Sequence, residues 1–201
     1  RKSESFDEGF DIISEDNSVK KFNSWGGEML ENKNGEFFVL SIVFGLLKFD
    51  YDAKLFIEIP LKNNENNKIS GERHYAAIFD KDQNLWSGSS GGLLKINLKT
   101  YDVDDISPFN KIVAQRRWVD NAVGGLILDE DNNIWVGTGT NGLFKYNNLT
   151  QKFNQIPTSE SAIGYRAFIF DNSGIFWYAS SKGLTKVDFN RESFVTYIVA
   201  E

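Results

Sequence analysis

The stretch Asp129-Glu-Asp-Asn-Asn-Ile-Trp135-Val-Gly137-Thr-Gly-Thr-Asn-Gly142-Leu-Phe-Lys-Tyr-Asn147 decides the fold, because the chain repeats its pattern on both sides. Segments 80–97 and 171–188 also have an aspartate, a tryptophan six residues later and then a Gly-Leu-x-Lys run. The tryptophans Trp86, Trp135 and Trp177 are 49 and 42 residues apart. Self-similarity at such a period is typical of solenoids, propellers and repeat arrays.

Two weaker copies precede these three. In residues 34–50, Phe38 takes the place of the tryptophan, and Gly45 follows it by seven residues. A half copy opens the chain at Gly9–Ile13 and Lys20–Phe22, and it matches the second half of the other repeats. We therefore predict half a repeat followed by four whole repeats.

The best copy divides into four short strands. Apolar or alternating segments at 123–128, 134–136, 143–146 and 152–156 predict strands, and the polar runs between them predict turns. Four antiparallel strands in about 40–50 residues form one blade of a β-propeller. We therefore predict an all-β fold, with residues 1–201 as a single propeller fragment. Its predicted parts are a half blade at 9–23 and blades at about 26–59, 74–106, 122–156 and 165–197.

The composition argues against several classes of protein and site. A net charge of −6 and a pI near 5.0 argue against the basic face of a nucleic-acid-binding protein. The lack of cysteine excludes disulfides and thiolate metal sites. No apolar run reaches the ~20 residues of a membrane span. There is no signal peptide, but the chain begins at Arg1 within a repeat, so we expect a piece of a longer protein whose destination this segment does not reveal.

The repeated tryptophans have two interpretations. A large ring midway along the second strand of each blade fills the space between neighbouring blades, and the alternative is a platform on which carbohydrate stacks. Recurrence in every repeat favours the packing role. The glycines Gly92, Gly142 and Gly183 are expected to mark turns that require a positive φ.

The acidic turns and the single histidine are the candidates for metal binding or catalysis. Turns 80–84 and 129–133 resemble calcium loops, but the twelfth position is Gly91 in one and Thr140 in the other, where a glutamate is required. Each first aspartate is therefore predicted to cap a hairpin turn, with a looser surface calcium site left open. With His74 alone and no nucleophile-elbow pattern, we predict a segment without catalysis, metal or cofactor.

Loops that do not repeat are the candidates for binding. Each inner strand is predicted to open on one of four equivalent residues, namely Glu28, Ala76, Gly125 and Ala167. The residues just before them should face the mouth of the central channel. Aromatic and cationic side chains that differ from blade to blade there are typical of a ligand surface, with ordinary loop variation as the alternative. The predicted ligand-binding residues are Trp25, His74, Tyr75, Arg116, Arg117, Trp118, Tyr165 and Arg166.

The pattern at 129–153, Asp-x-x-x-Asn-Ile-Trp-Val-Gly-Thr followed by Asn-Gly-Leu-Phe-Lys-Tyr-Asn and Thr-x-Lys-Phe, resembles the two-component regulator propeller repeat. The resemblance covers residues 9–197 in register and is strongest in the last three copies. It implies a seven-bladed propeller in the periplasmic sensor region of a hybrid histidine kinase. It also implies a response to polysaccharide breakdown products. Kinase motifs are not in this stretch, so any kinase activity belongs to the parent protein.

Two other classes of propeller remain as alternatives. The streptogramin lyases share the Asp-Gly-x-Leu-Trp type of phrase, and they use a histidine and a metal-binding glutamate. This chain has His74 but no second histidine to serve as its partner, which argues against lyase chemistry. A protein-docking propeller would have a rim without a deep pocket. The expected partners are an oligosaccharide or other small molecule, and the remaining blades of the propeller or a homodimer partner. We do not expect a nucleic-acid partner. We expect attachment to a membrane only through a transmembrane helix of the parent protein that is not in this chain.

Overall fold

In the computed structural model, the structure describes residues 10–14, 16–22, 27–63, 73–107, 122–157, 167–180, 183–188 and 193–197. Every regular element in these ranges is a β-strand, which confirms the predicted all-β class. The same ranges contain no helix long and apolar enough to span a membrane.

The strands form four sheets, here named A to D in chain order. Sheet A contains β1 (Phe10–Ile13), β2 (Val19–Phe22), β3 (Gly27–Glu31), β4 (Phe37–Ser41), β5 (Gly45–Asp50) and β6 (Leu55–Ile59). Sheet B contains β7 (Lys62–Asn63), β8 (His74–Phe79), β9 (Leu85–Ser89), β10 (Gly92–Ile96) and β11 (Asp102–Asp105). Sheet C contains β12 (Val123–Leu128), β13 (Ile134–Thr138), β14 (Leu143–Asn147) and β15 (Lys152–Ile156). Sheet D contains β16 (Ala167–Phe170), β17 (Phe176–Ser180), β18 (Gly183–Asp188) and β19 (Ser193–Tyr197).

Each sheet contains one four-stranded antiparallel meander, as the repeat predicted. The first strands of the meanders, β3, β8, β12 and β16, contact one another in that order. The sheets are therefore arranged as propeller blades are, with the first strand of each innermost. In sheet C, the strands at 123–128 and 152–156 have the predicted bounds, and β13 extends two residues beyond its predicted end.

Sheets A and B carry extra strands on their outer edges. The half repeat at the start of the chain folds as the hairpin β1–β2, and β1 pairs in parallel with β6, the outermost strand of the first meander. In the same way, β7 pairs in parallel with β11. In both cases the segment that leads into a meander covers that meander's outer edge, which would otherwise present unpaired backbone groups.

The acidic turns have one geometry in all four repeats. In the third repeat, the Asp129 Oδ1 atom accepts hydrogen bonds from the backbone N–H groups of Asp131, at 3.0 Å, and Asn133, at 2.9 Å. The fourth turn residue has a left-handed backbone in every copy, with φ values of 77° at Gly35, 66° at Gln83, 65° at Asn132 and 74° at Gly174. The predicted capping of the turn by its first residue is therefore confirmed.

The second carboxylate oxygen of each turn aspartate binds the tryptophan of its own repeat. Trp86 Nε1 donates to Asp80 Oδ2 at 2.9 Å, and the matching pairs Trp135–Asp129 and Trp177–Asp171 are at 3.1 and 2.9 Å. A lysine of the third strand lies over each ring, as Lys95 does at 5.3 Å from the centroid of Trp86. The six-residue spacing thus places each aspartate within hydrogen-bonding distance of the indole nitrogen of its own repeat.

The aromatic residue of the second strand fills the space between neighbouring sheets. Trp86 is fully buried, and its ring centroid lies 5.3 Å from that of Tyr146 in sheet C. Trp135 is also buried and lies 5.0 Å from Phe176 in sheet D. These contacts confirm the packing interpretation for both tryptophans.

Glycines serve both the turns and the contacts between sheets. The predicted positive φ is confirmed at Gly92, Gly142 and Gly183, with values of 135°, 94° and 126°. Gly88 has a different role, since a Cβ atom there would lie 2.6 Å from the carbonyl oxygen of Val123 in the next sheet. A side chain at position 88 would therefore push sheets B and C apart.

Candidate functional site

The inner strands begin at one end of the sheets, here called the rim, where each start lies beside the turn between the second and third strands. In sheet B, the N–H of Ser90 donates to the carbonyl of Arg73 at 2.8 Å, and the N–H of Arg73 donates to Ser90 Oγ at 3.1 Å. In sheet C, the N–H of Gly139 donates to the carbonyl of Ala122 at 2.8 Å. The rim backbone is thus held in place by hydrogen bonds between the start of each inner strand and the turn beside it, and its side chains differ between sheets.

His74 lies inside the protein at the rim. It is 3% exposed, and its Nδ1 atom shares a hydrogen bond of 2.7 Å with the Oγ atom of Ser87, which is fully buried. We expected His74 to precede the inner strand and face the mouth of the channel, but it is the first residue of β8 and turns inward. This bond gives the Nδ1 atom and the serine hydroxyl a partner in the core, where an unpaired polar group would be costly.

Tyr75 occupies a β-bulge. The pairing of β8 with β9 passes from His74↔Ser89 to Ala76↔Gly88, which leaves Tyr75 without a directly opposed residue. The same irregularity recurs in sheet C, where the skipped residue is Gly124. Bulges re-aim side chains and are frequent beside binding sites. Tyr75 is half-buried. It is an aromatic residue at the rim of sheet B, and the equivalent residue of sheet C is a glycine.

The remaining predicted binding residues lie outside the described residues. They are Trp25, Arg116, Arg117, Trp118, Tyr165 and Arg166. Among the predicted set, the structure therefore places His74 and Tyr75 alone. It adds the exposed Arg73, which is in the same run of sequence as both.

Ser87 is a site residue that the sequence analysis missed. It stands where the other repeats have Val39, Val136 and Tyr178. A polar residue in a position that is otherwise apolar, together with a histidine found in one repeat alone, was the signal that could have identified the pair.

The turn carboxylates were the other candidate site, as a loose calcium position. The Asp80 Oδ2 atom accepts hydrogen bonds from Trp86 Nε1 and from Asn84 Nδ2, at 2.9 and 2.8 Å. Burial acts to raise the pKa of Asp80, but the hydrogen bonds from Trp86, Asn84 and Asn148 together outweigh it and hold the pKa below its ordinary value. These oxygens therefore serve the fold as a charged cap.

The same balance applies in the third repeat. Burial acts to raise the pKa of Asp129, and the hydrogen bonds from Lys145, Asn133 and Trp135 lower it further than burial raises it. Lys145 Nζ lies 2.8 Å from Asp129 Oδ2. Within the described ranges, no three His, Cys, Asp or Glu side chains are grouped so that they could hold a metal ion.

Comparison with known proteins supports the fold. The sequence matches no family model and no curated protein. Among solved structures, the chain is similar to the extracellular domain of a candidate hybrid two-component system, BT3049, from B. thetaiotaomicron, with 17% identity and a TM-score of 0.68. That similarity covers 92% of this chain and 26% of the other. A corresponding domain of BT4673 from the same organism has 18% identity and a TM-score of 0.66 over 86% of this chain and 24% of its own.

A lyase of the same architecture is also similar. Virginiamycin B lyase from Staphylococcus aureus has 15% identity and a TM-score of 0.60, over 93% of this chain and 61% of its own. At these identities the likeness shows the propeller-type fold. It agrees with the resemblance of the repeats to two-component regulator propellers. The chain spans about a quarter of the length of the two-component structures that it matches.

Proposed function

We propose that this chain is a ligand-sensing segment of the extracytoplasmic propeller of a hybrid two-component sensor. The observation that carries the proposal is the match of its four sheets to extracellular domains of such systems over 92% and 86% of the chain. The repeat phrase at 129–153, which resembles two-component regulator repeats, points independently in the same direction. On this proposal the segment works in the periplasm by binding, and any phosphoryl transfer belongs to other parts of the parent.

The rim is the proposed ligand surface. Its backbone is held by paired hydrogen bonds, whereas Arg73 and Tyr75 are side chains that the third repeat does not share. An aromatic side chain and a guanidinium on the same rim suit a carbohydrate or another hydroxyl-rich small molecule, because a ring can stack on an apolar sugar face and a guanidinium can donate to hydroxyl groups. The sequence-predicted residues Trp25, Arg116, Arg117, Trp118, Tyr165 and Arg166 complete the proposed set.

Calorimetry on the complete sensor domain tests the proposal. We would titrate it with a panel of short, defined oligosaccharides and compare the Tyr75→Ala variant with the unchanged protein. Tyr51→Ala is a matched control, since Tyr51 is an exposed tyrosine whose hydroxyl donates to the carbonyl of Gly35 at the opposite end of the sheets. We expect Tyr75→Ala to weaken binding about tenfold, as the loss of one stacked ring implies, and Tyr51→Ala to leave it unchanged.

Three results would contradict the proposal in different ways. Binding that is equally strong in Tyr75→Ala would remove the rim site, and absence of heat with every sugar would argue for a protein-docking propeller. Turnover of a streptogramin B substrate would place the chain with the lyases instead.

A further inference from the structure

One face of sheet D carries an exposed apolar surface, here called the D face. The cross-strand register Ile169↔Trp177↔Lys186↔Val195 and the row Ala167↔Ala179↔Leu184↔Tyr197 lie on this one face. Ile169 is 59% exposed, Leu184 45% and Tyr197 52%. Large side chains of this kind, contiguous on a sheet, are typical of a surface that another structure covers.

The equivalent face of sheet C packs against sheet D. Leu143, which corresponds to Leu184, is fully buried, and Trp135, which corresponds to Trp177, is 3% exposed. Both belong to a core cluster with Phe176 of sheet D. The D face thus has the same repeat positions as the face of sheet C that sheet D covers.

A ring-to-ring contact recurs at each junction between sheets. The second-strand aromatic residue of sheets A, B and C lies 6.0, 5.3 and 5.0 Å, centroid to centroid, from a ring of the following sheet. The three pairs are Phe38–Phe79, Trp86–Tyr146 and Trp135–Phe176. The described ring contact of Trp177 is instead with Tyr197 of its own sheet, stacked at 6.1 Å.

We propose that the D face is a docking surface for a further β-sheet of the same repeat type, which places an aromatic ring against Trp177. The proposal follows from continuity, because at all three described junctions the second-strand aromatic and the leucine that follows the third-strand glycine share a core cluster with residues of the next sheet. It assigns Ile169, Leu184 and Tyr197 to an interface instead of to the solvent-facing surface.

A second copy of this chain is the less suitable occupant. The face of sheet A that would complement the D face contains Val39, Leu47 and Phe56, which are 5%, 0% and 6% exposed. That face is already covered, together with Ile12 and Phe44, in a core cluster of its own. A head-to-tail pair of chains would have to open this cluster before the two faces could meet.

An extended chain tests the proposal. After Tyr197 we would append a copy of residues 157–197, so that the natural connection between sheets C and D is reproduced, with W177F in the appended copy. The protein is labelled with 5-fluorotryptophan, and broadening of the original Trp177 resonance by a soluble gadolinium chelate reports its exposure. The buried Trp86 is the internal reference.

In the unextended chain, we expect the chelate to broaden the Trp177 resonance several-fold more than the Trp86 resonance. In the extended chain, we expect this difference to disappear and the Tm to rise. With F170S and F176S in the appended copy, the protection should disappear. With Ile169→Ser and Leu184→Ser in the original sheet, the unextended chain should keep its Tm, and the extended chain should lose the gain.

A second extension, a copy of residues 108–156 with Tyr146 as its ring, guards against a copy that fails to fold. Failure of both extensions to protect Trp177 would overturn the proposal. A concentration-dependent dimer of the unextended chain that protects Trp177 would also overturn it, in favour of a second copy. Protection by an oligosaccharide alone would identify the face as a sugar platform instead. None of these results depends on ligand binding at the rim.

Discussion

Asp80 accepts a 2.9 Å hydrogen bond from the indole nitrogen of Trp86, and this bond recurs in each repeat that has a tryptophan. The first repeat lacks the indole, and it also lacks the aspartate. There Phe38 and Asn32 take the two positions, and Asn32 Nδ2 donates to Glu36 Oε2 at 2.6 Å. The two positions therefore change together, because a second carboxylate oxygen without a donor would be costly in a buried turn.

Trp86→Phe is predicted to lower the free energy of unfolding by about 2–3 kcal/mol, since it removes a hydrogen bond to a buried carboxylate. Trp177→Phe is the matched comparison, because it removes the same bond from the less buried fourth repeat and should cost less. The double variant Trp86→Phe/Asp80→Asn copies the pair found in the first repeat and should recover part of the loss. Urea unfolding measures all three, and an equal cost at both tryptophans would contradict the role of burial.

Acid should destabilise the protein through the turn aspartates. Hydrogen bonds lower the pKa values of Asp80, Asp129 and Asp171 from their ordinary value of 3.8, so the unfolded chain binds protons more readily than the folded one. Their contribution to stability is full above the unfolded value, about pH 4, and is lost as the pH falls through the lowered folded values.

Asp80→Asn should therefore make the free energy of unfolding less dependent on pH below about pH 4. Trp86→Phe should act in the same direction, because Asp80 then loses one of the donors that lower its pKa. Urea titrations at a series of acidic pH values give the slope. An unchanged slope in Asp80→Asn would show that this carboxylate is not linked to folding.

The acidic turns also join neighbouring sheets, and this connection is missing between sheets C and D among the described residues. The N–H of Lys33 donates to Gln83 Oε1 at 2.9 Å, and the N–H of Lys81 donates to Asn132 Oδ1 at 2.8 Å. The lysine side chains add bonds to backbone carbonyls of the next turn. At the junction of sheets C and D the corresponding residues are Glu130 and Gly174, whose side chains supply neither an ammonium nor an amide oxygen.

Glu130→Lys with Gly174→Asn is predicted to install the missing connection and to raise the free energy of unfolding by about 0.5–1.5 kcal/mol. Asparagine tolerates the left-handed backbone of position 174, where φ is 74°. Gln83→Gly, which removes an existing connection, should have the opposite effect. Hydrogen exchange in sheet D should slow in the double variant, and a gain from either single change alone would contradict the pairing.

His74 and Ser87 are predicted to be a structural pair. Changing either one to valine leaves its partner buried with an unmatched polar group and should cost about 1–3 kcal/mol. Changing both should cost much less, since the corresponding residues of the third repeat are Val123 and Val136, which share a core cluster. Urea unfolding of the two single variants and the double variant measures the coupling, and additive losses would contradict it. If the double variant folds yet loses oligosaccharide binding, His74 has a role in the ligand site as well.

The strands and turns within each repeat can be predicted from the sequence. The strands at 123–128 and 152–156, the capping aspartates and the positive φ of Gly142 all follow from residues near one another in the chain. Turn geometry and strand alternation depend on a few neighbouring dihedral angles and on the period of the side chains, so a single repeat suffices to predict them.

Burial at the rim and on the D face was decided by the tertiary structure. His74 occurs in a loop-like run, yet it is buried, and the serine of the next strand offsets the cost by pairing with its ring nitrogen. Leu143 and Leu184 occupy the same position of the repeat, yet one is interior and the other exposed, because a sheet covers the first alone. What packs against a residue depends on segments far away in the chain, and no local spacing records it.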